Sequence, residues 1–537
     1  MKYVFITGGV VSSLGKGITA ASLGMLLKAR GYRVSLQKLD LYYNVEPGFL
    51  SPLEHGEAFI TEDGTATDLD LGHFERFVDV TLHGDASVTT GKIHRRLIER
   101  ELQGEYRGST IQAIPHVANE IKRCIREAAA SAGADIQIVE IGGTVGDMES
   151  AVYLEAIRQM RWECERPEDC CYIHVTLMPY IVTAGELKTK PTQNSVKELR
   201  SVGIQPDVIV CRTEVPMHTE AKEKIALFCN VKAGNVIQNL DVSCLLDVPL
   251  MLEKEGLAKC VLAELGLENH PADLESWKAM AQHLRGLERK VRVALVGKYV
   301  TVPDAYLSVT EALHHAGLAE DVLVDVVPVN SEAIVPDTVG EMLGGYQAIV
   351  VPGGYGDRGT DGMMVAARYA RENRVPFLAI GFGMQLTVVE AARNLLGIDG
   401  ANTTEVDPQT ENPIVRIPED RICHNDSRSA TRMGGEDVLL SNGKIQTLYG
   451  TEHIHERHSN RYEVNPSYLE PLAGVGFAMV GTSVPDGYPE AFELAGHPFY
   501  IGVVYHPEYR SRPGRPHPLF QTLIHTAKQI SGVASET

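Results

Sequence analysis

The sequence lacks a long apolar run, an excess of basic residues, internal repeats and low-complexity tracts. No hydrophobic stretch reaches the roughly 20 residues of a membrane-spanning helix, and residues 1–5 are typical of a core strand rather than a signal peptide. The 70 acidic and 50 basic side chains give a formal net charge of -20, which argues against a nucleic-acid polymer as partner. With 44% hydrophobic and 22% charged residues, the composition is that of an ordinary globular protein.

Metal-ligand spacing is also missing among the nine cysteines. Cys170 and Cys171 are adjacent and Cys164 precedes them, but no His or Cys pair completes a zinc site in the sequence. We therefore expect reduced thiols and a cytoplasmic protein. Only Cys423 lies in the C-terminal half, in a stretch typical of a loop.

The length of 537 residues predicts two or three domains. Apolar strands alternate with helical segments in two regions, a pattern typical of parallel sheets with helices on both faces. The expected fold class is therefore α/β, with two doubly wound parallel-sheet domains at residues 1–267 and 291–537 and a polar, helix-forming linker at 268–290. The predicted strands are residues 3–7, 34–39, 136–141, 173–178, 208–211, 291–296, 322–327, 348–351, 377–380 and 501–505.

A glycine-rich segment follows the first predicted strand and opens a helix expected to reach about residue 30. It runs Gly8-Gly-Val-Val-Ser-Ser-Leu-Gly-Lys16-Gly17. Its glycines let backbone N–H groups turn toward phosphate oxygens, and Lys16 supplies a positive charge for the terminal phosphates. Because Gly17 stands where a strict P-loop has Ser or Thr, we expect other groups to hold magnesium, with Asp70 and Glu140 as acidic candidates.

A second segment, residues 375–385, predicts an apolar strand and a sharp turn, with a helix following over residues 386–396. That order is typical of a nucleophile elbow, a strained turn that lifts one side chain above a sheet. His506 and Glu508 follow in the order of a Cys-His-Glu triad. Gly381 occupies the nucleophile position, however, and glycine has no side chain that could form a thioester. We therefore expect this site to be inactive.

Several long runs in the same order closely resemble the CTP synthase family, which joins an N-terminal synthetase domain to a C-terminal class I glutamine amidotransferase domain. The resemblance covers nearly the whole chain, in residues 8–20, 67–73, 140–147, 185–193, 225–230 and 461–465. It implies a two-step reaction. The γ-phosphate of ATP is transferred to the 4-oxygen of UTP, and ammonia then displaces that phosphate to give CTP.

The resemblance also implies roles for N-terminal residues. Lys16 and Lys38 are expected to be catalytic, and Asp70 and Glu140 to bind Mg²⁺. The expected ATP contacts are Ser13, Leu14, Gly15, Lys16, Gly17, Ile18 and Asp70. The expected pyrimidine-nucleotide contacts are Ser12, Asp147, Glu149, Lys188, Thr189, Lys190, Gln193 and Lys224. That site lies between subunits in the family, which implies a homotetramer (a dimer of dimers), with filament formation open.

In the C-terminal half the resemblance implies a vestigial amidotransferase pocket formed by Gly381, His506, Glu508, Gly354, Gln385, Glu405 and Arg461. The family's ammonia gate corresponds to Pro52, His55 and Ala58. GTP activation of glutamine hydrolysis is expected to be lost, because Arg107, Leu307 and the stretch 424–434 depart from the family pattern.

Three interpretations remain open at this point. The first is an ATP-dependent ligase that aminates UTP with free ammonia or another amine. The second keeps the chemistry on a modified pyrimidine nucleotide, because Leu41, Phe49 and Ala58 replace the family's proline, threonine and valine beside the expected reaction centre. The third is a non-catalytic regulatory or filament subunit. The intact phosphate loop and the Lys188 motif favour the enzymes.

Overall fold

A computed structural model describes residues 1–421, 431–530 and 532 of the chain. It divides into two compact units, the first formed by residues 1–48 and 70–281 and the second by residues 49–69 and 282–537. Residues 49–69, which the sequence analysis places in the N-terminal domain, therefore pack within the second unit. No helix in the described ranges is both long and apolar enough to cross a bilayer.

The strands, numbered in chain order, are β1 (Lys2–Gly8), β2 (Val34–Asp40), β3 (Phe59–Ile60), β4 (Ala66–Thr67), β5 (Ser87–Thr89), β6 (Ile136–Ile141), β7 (Cys170–Leu177), β8 (Tyr180–Ile181), β9 (Glu186–Leu187), β10 (Val208–Thr213), β11 (Val236–Leu240), β12 (Lys290–Gly297), β13 (Leu323–Asn330), β14 (Ala348–Val351), β15 (Phe377–Ile380), β16 (Ala401–Thr403), β17 (Asn412–Arg416), β18 (Arg432–Leu440), β19 (His453–Asn460), β20 (Glu463–Val464), β21 (Phe477–Ser483), β22 (Pro489–Leu494) and β23 (Tyr500–Val503).

The α-helices are α1 (Lys16–Lys28), α2 (Pro52–His55), α3 (Asp70–Val78), α4 (Thr90–Leu102), α5 (Ala118–Ser131), α6 (Ala151–Glu163), α7 (Lys190–Ser201), α8 (Thr219–Cys229), α9 (Asp247–Glu255), α10 (Leu257–Glu264), α11 (Glu275–Gly286), α12 (Leu307–Ala319), α13 (Val339–Leu343), α14 (Thr360–Asn373), α15 (Phe382–Asn394), α16 (Lys444–Tyr449), α17 (Leu469–Gly474) and α18 (Pro518–Ile530).

The first unit is built on a seven-stranded sheet in the order β11-β10-β7-β1-β6-β2-β5. All of its strand pairs are parallel, and the central strands are buried apolar runs because helices cover both faces. Side chains at the carboxyl ends of the strands therefore meet at one edge of the sheet, where ligands bind in this architecture. Lys38 and Glu140 are paired across β2 and β6 at this edge.

The second unit is built on a nine-stranded sheet in the order β13-β12-β14-β15-β23-β22-β21-β18-β19. The first five strands are parallel, as predicted, whereas β22, β21, β18 and β19 extend the sheet in antiparallel register. The sequence analysis did not predict these four strands. Polar residues interrupt β18, β19 and β22, which therefore lack the continuous apolar pattern of a central strand. The two-domain α/β fold class is confirmed.

Residues 49–69 are attached to the second unit by carboxylates. Glu57 accepts hydrogen bonds from the backbone N–H and the hydroxyl of Ser308, the former at 2.8 Å. Glu62 pairs with Arg457 at 3.0 Å and with Arg510 at 2.8 Å. These two arginines oppose the effect of burial and hold the pKa of the Glu62 carboxyl below its ordinary value.

Candidate functional site

The phosphate loop joins β1 to α1 and has a strained backbone. Val10 and Ser13 have φ of 84° and 57°, and Gly15 has φ of 82° at the N-cap of α1. Positive φ is costly for residues other than glycine, and such strain is concentrated at ligand sites. Arg212, at the end of β10, donates a hydrogen bond to the Ser13 carbonyl at 3.1 Å. Sequence reasoning missed Arg212, since a lone arginine near the end of a strand carries no motif.

Two glycines of the loop are required by close packing. A Cβ on Gly8 would lie 2.7 Å from the Lys16 side chain, and one on Gly17 would lie 1.9 Å from Oδ1 of Asp70. Gly17 therefore places the start of α1 directly against the carboxylate at the start of α3. This contact explains why a glycine stands where a strict P-loop carries a hydroxyl side chain, and it puts an acidic oxygen in that place instead.

Four charged side chains meet beside the loop. Nζ of Lys38 forms ion pairs with Asp70 and, at 3.5 Å, with Glu140. Lys16 donates to the Gly143 carbonyl at 2.7 Å, and burial lowers its pKa although Glu140 opposes that shift. Both carboxylates thus converge on one cation. Two carboxylates supply the hard oxygen ligands that Mg²⁺ prefers, so the residues present fit the expected ion.

A metal site formed entirely by protein side chains would need at least three such ligands close together. Within the described ranges, no three His, Cys, Asp or Glu side chains converge in a way that could hold an ion.

The expected pyrimidine-nucleotide residues lie on four segments of the first unit, which are the phosphate loop, the segment after β6, the stretch from Lys188 into α7, and α8. Asp147 accepts a hydrogen bond from the Thr144 N–H at 2.7 Å and lies near Lys16, whereas Glu149 is exposed. Lys188 pairs with Glu186, whose pKa is lowered chiefly by Lys188. The others are Ser12 in the phosphate loop, Thr189 before α7, Lys190 and Gln193 in α7, and Lys224 in α8.

The elbow has the predicted strand and turn, but its helix begins earlier than expected. Gly381 has φ of 56° and ψ of -119°, and α15 starts at the next residue rather than at residue 386. A Cβ on Gly381 would lie 3.1 Å from Nε2 and 3.2 Å from Cε1 of His506. The Nδ1 atom of His506 lies 2.7 Å from Oε1 of Glu508. The base and its orienting carboxylate are thus aligned on a position without a side chain.

The other pocket residues surround this elbow. The Gln385 amide donates to the Tyr462 carbonyl at 2.9 Å, and Glu405 accepts from the Gly356 N–H at 2.8 Å. Oε1 of Gln385 and Nε of Arg461 are buried without a partner in the part of the chain that the structure describes. A Cβ on Gly354 would contact Lys298 at 3.6 Å. The pocket therefore keeps polar groups aimed inward although its nucleophile position is bare.

Lys298 is a pocket residue that sequence reasoning did not identify. It donates to the carbonyls of Tyr355 at 2.9 Å and Gly356 at 2.8 Å, and its Nζ lies 4.8 Å above the Phe382 ring. Burial lowers the pKa of Lys298 to about 8, although Glu405 opposes this effect.

This low pKa predicts a pH-dependent stability. Between pH 8 and the ordinary lysine value of 10.5, the unfolded chain holds a proton that folded Lys298 has lost, so the lysine favours folding more strongly as pH rises. We expect the melting temperature of the wild type minus that of Lys298→Met to increase from pH 7 to pH 10. Differential scanning fluorimetry of both proteins measures it, and a constant difference would contradict the pKa assignment.

The expected gate segment reaches the same pocket. The Ala58 carbonyl accepts a hydrogen bond from the Tyr509 hydroxyl at 3.0 Å, and the Tyr509 ring stacks on His506 with ring centroids 5.3 Å apart. Pro52 is buried and His55 is exposed. Ala58 is therefore linked through one aromatic ring to the bare elbow.

The structure describes only some of the residues whose departure from the family pattern suggests a loss of GTP activation. Arg107 is exposed with φ of 50°, and Leu307 begins α12. Residues 422–430, which include Cys423 and most of the stretch 424–434, lie outside the described residues, as does the side chain of Phe49.

Comparison with known proteins identifies both halves. A family model described as the CTP synthase N-terminus matches residues 2–267, and one described as glutamine amidotransferase class-I matches residues 301–526. The CTP synthase of Pelotomaculum thermopropionicum is 51% identical over 98% of this chain and 98% of its own length. The chain belongs to the CTP synthase family. The CTP synthase of Synechococcus sp. is 52% identical, covering 98% of this chain and 97% of its own length.

Among solved structures, the glutaminase domain of Trypanosoma brucei CTPS with bound acivicin is 32% identical, covers 44% of this chain and 94% of its own, and has a TM-score of 0.43. Family membership makes the chain a C–N ligase of CTP synthase type that acts on UTP. The domain limits of 267 and 291 expected from the sequence remain predictions.

Proposed function

We propose that this CTP synthase uses free ammonia, or another small amine, and does not hydrolyse glutamine. The observation that carries the proposal is Gly381 at the elbow. The position of its missing Cβ, 3.1 Å from Nε2 of His506, is where a nucleophile would have to start. A general base that has no thiol to deprotonate cannot cleave the glutamine amide, since the thiolate is the attacking group in this chemistry.

The synthetase chemistry is retained in this proposal. The 4-oxygen of UTP attacks the γ-phosphorus of ATP, the bond to the β,γ-bridging oxygen breaks, ADP departs, and the N3 proton of UTP is released. Ammonia then attacks C4 and loses its excess proton, while the C4–O bond breaks and releases phosphate. Phosphorylation matters because it converts a poor leaving group into a good one, and catalysis is mostly positioning and charge neutralisation.

Each charged residue beside the phosphate loop has a role in these steps. Lys16 holds the ATP phosphates, and Lys38, between two carboxylates, supports the charge that develops on the transferred group. Asp70 and Glu140 would hold Mg²⁺, which when bound neutralises phosphate charge.

The acceptor nucleotide would lie near α7. Lys188, Lys190 and Lys224 supply three positive charges for a triphosphate, and Gln193 supplies neutral hydrogen bonds to the rest of the nucleotide. In the family this site is completed by a second subunit, and on that resemblance we infer a homotetramer, a dimer of dimers. We place it in the cytoplasm, where ATP and UTP are available.

The test is product analysis with ATP, Mg²⁺, UTP and either ammonium chloride or glutamine freed of ammonium. We expect CTP from ammonium, at a rate that rises with pH because the fraction of unprotonated ammonia rises, and none from glutamine. Mass spectrometry of the nucleotides measures both. The control is Lys16→Met, which should form no CTP from either source.

Two other outcomes would change the proposal. CTP from glutamine at a rate comparable to that from ammonium would overturn the loss of glutaminase activity. CTP from neither source would favour the second function, amination of a modified pyrimidine nucleotide. The altered residues that motivate that alternative are Leu41 and Ala58. The Leu41 side chain packs against Gly143, where an added Cβ would lie 2.7 Å from it.

A further inference from the structure

A buried histidine links the phosphate loop to the helix that carries the expected pyrimidine-nucleotide residues. Nδ1 of His174, in β7, lies 2.9 Å from the Thr7 hydroxyl, and its Nε2 lies 2.7 Å from the Ser195 hydroxyl. His174 is fully buried in the sheet. The three side chains thus form one continuous hydrogen-bonded row across β1, β7 and α7.

Both ends of this row reach a ligand-binding segment. Thr7 precedes the phosphate loop by one residue, at the carboxyl end of β1. Ser195 lies in α7 with Lys190 and Gln193. A Cβ on Gly9 would lie 1.7 Å from Oγ of Ser195 and 3.0 Å from Nε2 of His174. The backbone of the phosphate loop therefore rests directly on the Ser195–His174 hydrogen bond.

The protonation state of His174 determines how the three side chains hydrogen-bond. Burial, assisted by the positive charge on Lys16, lowers the pKa of His174 to about 3, so the ring is neutral at physiological pH. A neutral imidazole has one N–H, so it donates one of the two hydrogen bonds and accepts the other. Loss of either hydroxyl would leave a buried ring nitrogen unsatisfied, and α7 and the loop would lose their common contact.

We propose that His174 is a positioning residue that couples nucleotide binding at the phosphate loop to binding at α7. When the pyrimidine nucleotide binds at α7, it fixes the position of Ser195. Ser195 and His174 then hold the phosphate loop in the conformation that the ATP phosphates require. Binding at either site then favours binding at the other by the same factor. This inference rests on the proposed position of the pyrimidine nucleotide.

The test measures coupling rather than activity. The dissociation constant of UTP is determined by calorimetry on the full chain with and without a non-hydrolysable ATP analogue, and the reciprocal titration is also made. We expect the two nucleotides to tighten each other's binding in the wild type by about 5- to 150-fold, the usual range of such couplings. In Ser195→Ala and His174→Asn the factor should fall to near one, because neither variant can join α7 to the ring position.

Two further variants separate positioning from packing. His174→Gln can place its amide near the Nε2 position and should recover part of the coupling. The matched control is Thr192→Val, which removes another hydrogen bond from α7 to β7, the 3.2 Å contact of the Thr192 hydroxyl with the Leu177 carbonyl. Because that contact lies away from Gly9, Thr192→Val should keep the wild-type coupling.

Several results would overturn the inference. One is an absence of coupling in the wild type, and another is wild-type coupling in Ser195→Ala and His174→Asn. The third is a coupling factor that falls as far in Thr192→Val as in those two variants. Failure of the pyrimidine-site assignment is recognised separately, since Lys190→Ala would then leave the dissociation constant of UTP unchanged. Failure of the ammonia-only proposal appears in the glutamine assay and does not alter the coupling factor.

Discussion

The variant Gly381→Cys is expected to acquire glutamine hydrolysis and glutamine-dependent CTP formation. The new Cβ would lie 3.1 Å from Nε2 of His506, so the thiol starts within reach of a base that Glu508 already orients at 2.7 Å. The rate with glutamine should exceed that of Gly381→Ala by on the order of 10³-fold or more, since loss of a triad nucleophile costs up to about 10⁶ in kcat.

The gain is expected to carry a cost in stability. At φ of 56° and ψ of -119°, a residue with a Cβ is strained by about 1–3 kcal/mol, and the His506 ring must move by a few tenths of an ångström to admit it. Gly381→Ala should show this strain without activity, which makes it the matched control. Both effects are measured by glutamate release and by the free energy of unfolding.

A double variant identifies the chemistry. Gly381→Cys combined with His506→Ala should lose the acquired hydrolysis, because the thiol then lacks its base. A stable Gly381→Cys protein with wild-type rates on glutamine would show that the remaining pocket is not competent. The proposed loss of glutamine hydrolysis would then have causes other than residue 381 alone.

The variant Gly17→Ala is expected to abolish CTP formation from ammonia although it removes no functional group. Its Cβ would lie 1.9 Å from Oδ1 of Asp70, so the carboxylate must shift from the position in which it pairs with Lys38. A displacement of about 1 Å at a reacting centre can cost about 10²-fold in rate, and we expect a loss of at least that order in kcat.

Helix propensity alone predicts the opposite outcome. Gly17 is the second residue of α1, and replacing a helical glycine by alanine commonly favours the helix by about 1 kcal/mol. Gly340 is a matched control, because it is the second residue of α13 and a Cβ there meets nothing within 4 Å. Gly340→Ala should therefore keep full activity and equal or greater stability.

Steady-state kinetics with ammonium and thermal unfolding distinguish the two effects. Retention of wild-type kcat in Gly17→Ala would mean that Asp70 is free to move without consequence. That result would remove Asp70 from the proposed magnesium set, whereas Glu140 would remain in it.

The sequence predicted five of the seven strands of the first sheet and the five parallel strands of the second, because these buried strands are continuous apolar runs, whereas it missed β5 and β11. It also predicted the phosphate loop and the elbow, whose glycines and flanking strands are local signals. Non-local features escaped it. Arg212 reaches the Ser13 carbonyl from a distant strand, and the row through His174 joins three separated segments. Such contacts depend on strand order, which no local pattern contains.

The sequence predicts that the elbow helix begins at residue 386, whereas α15 begins four residues earlier, at Phe382. The reason is physical, because Gly381 completes the turn within one residue and its carbonyl already accepts a hydrogen bond from the N–H of Gln385 at 3.2 Å. The run Phe-Gly-Met-Gln, with its glycine, lowers helix propensity, and packing within the second unit overrides that preference.

The attachment of residues 49–69 to the second unit limits how the protein can be divided. Arg457, whose side chain is 1% exposed, pairs with Glu62 and donates to the Ile60 carbonyl at 3.0 Å. A fragment that starts at residue 282 would leave both of these acceptors behind and expose the surface around a buried cation. The second unit is therefore discontinuous in sequence, and a fragment cut at residue 282 would lack a segment that packs within it.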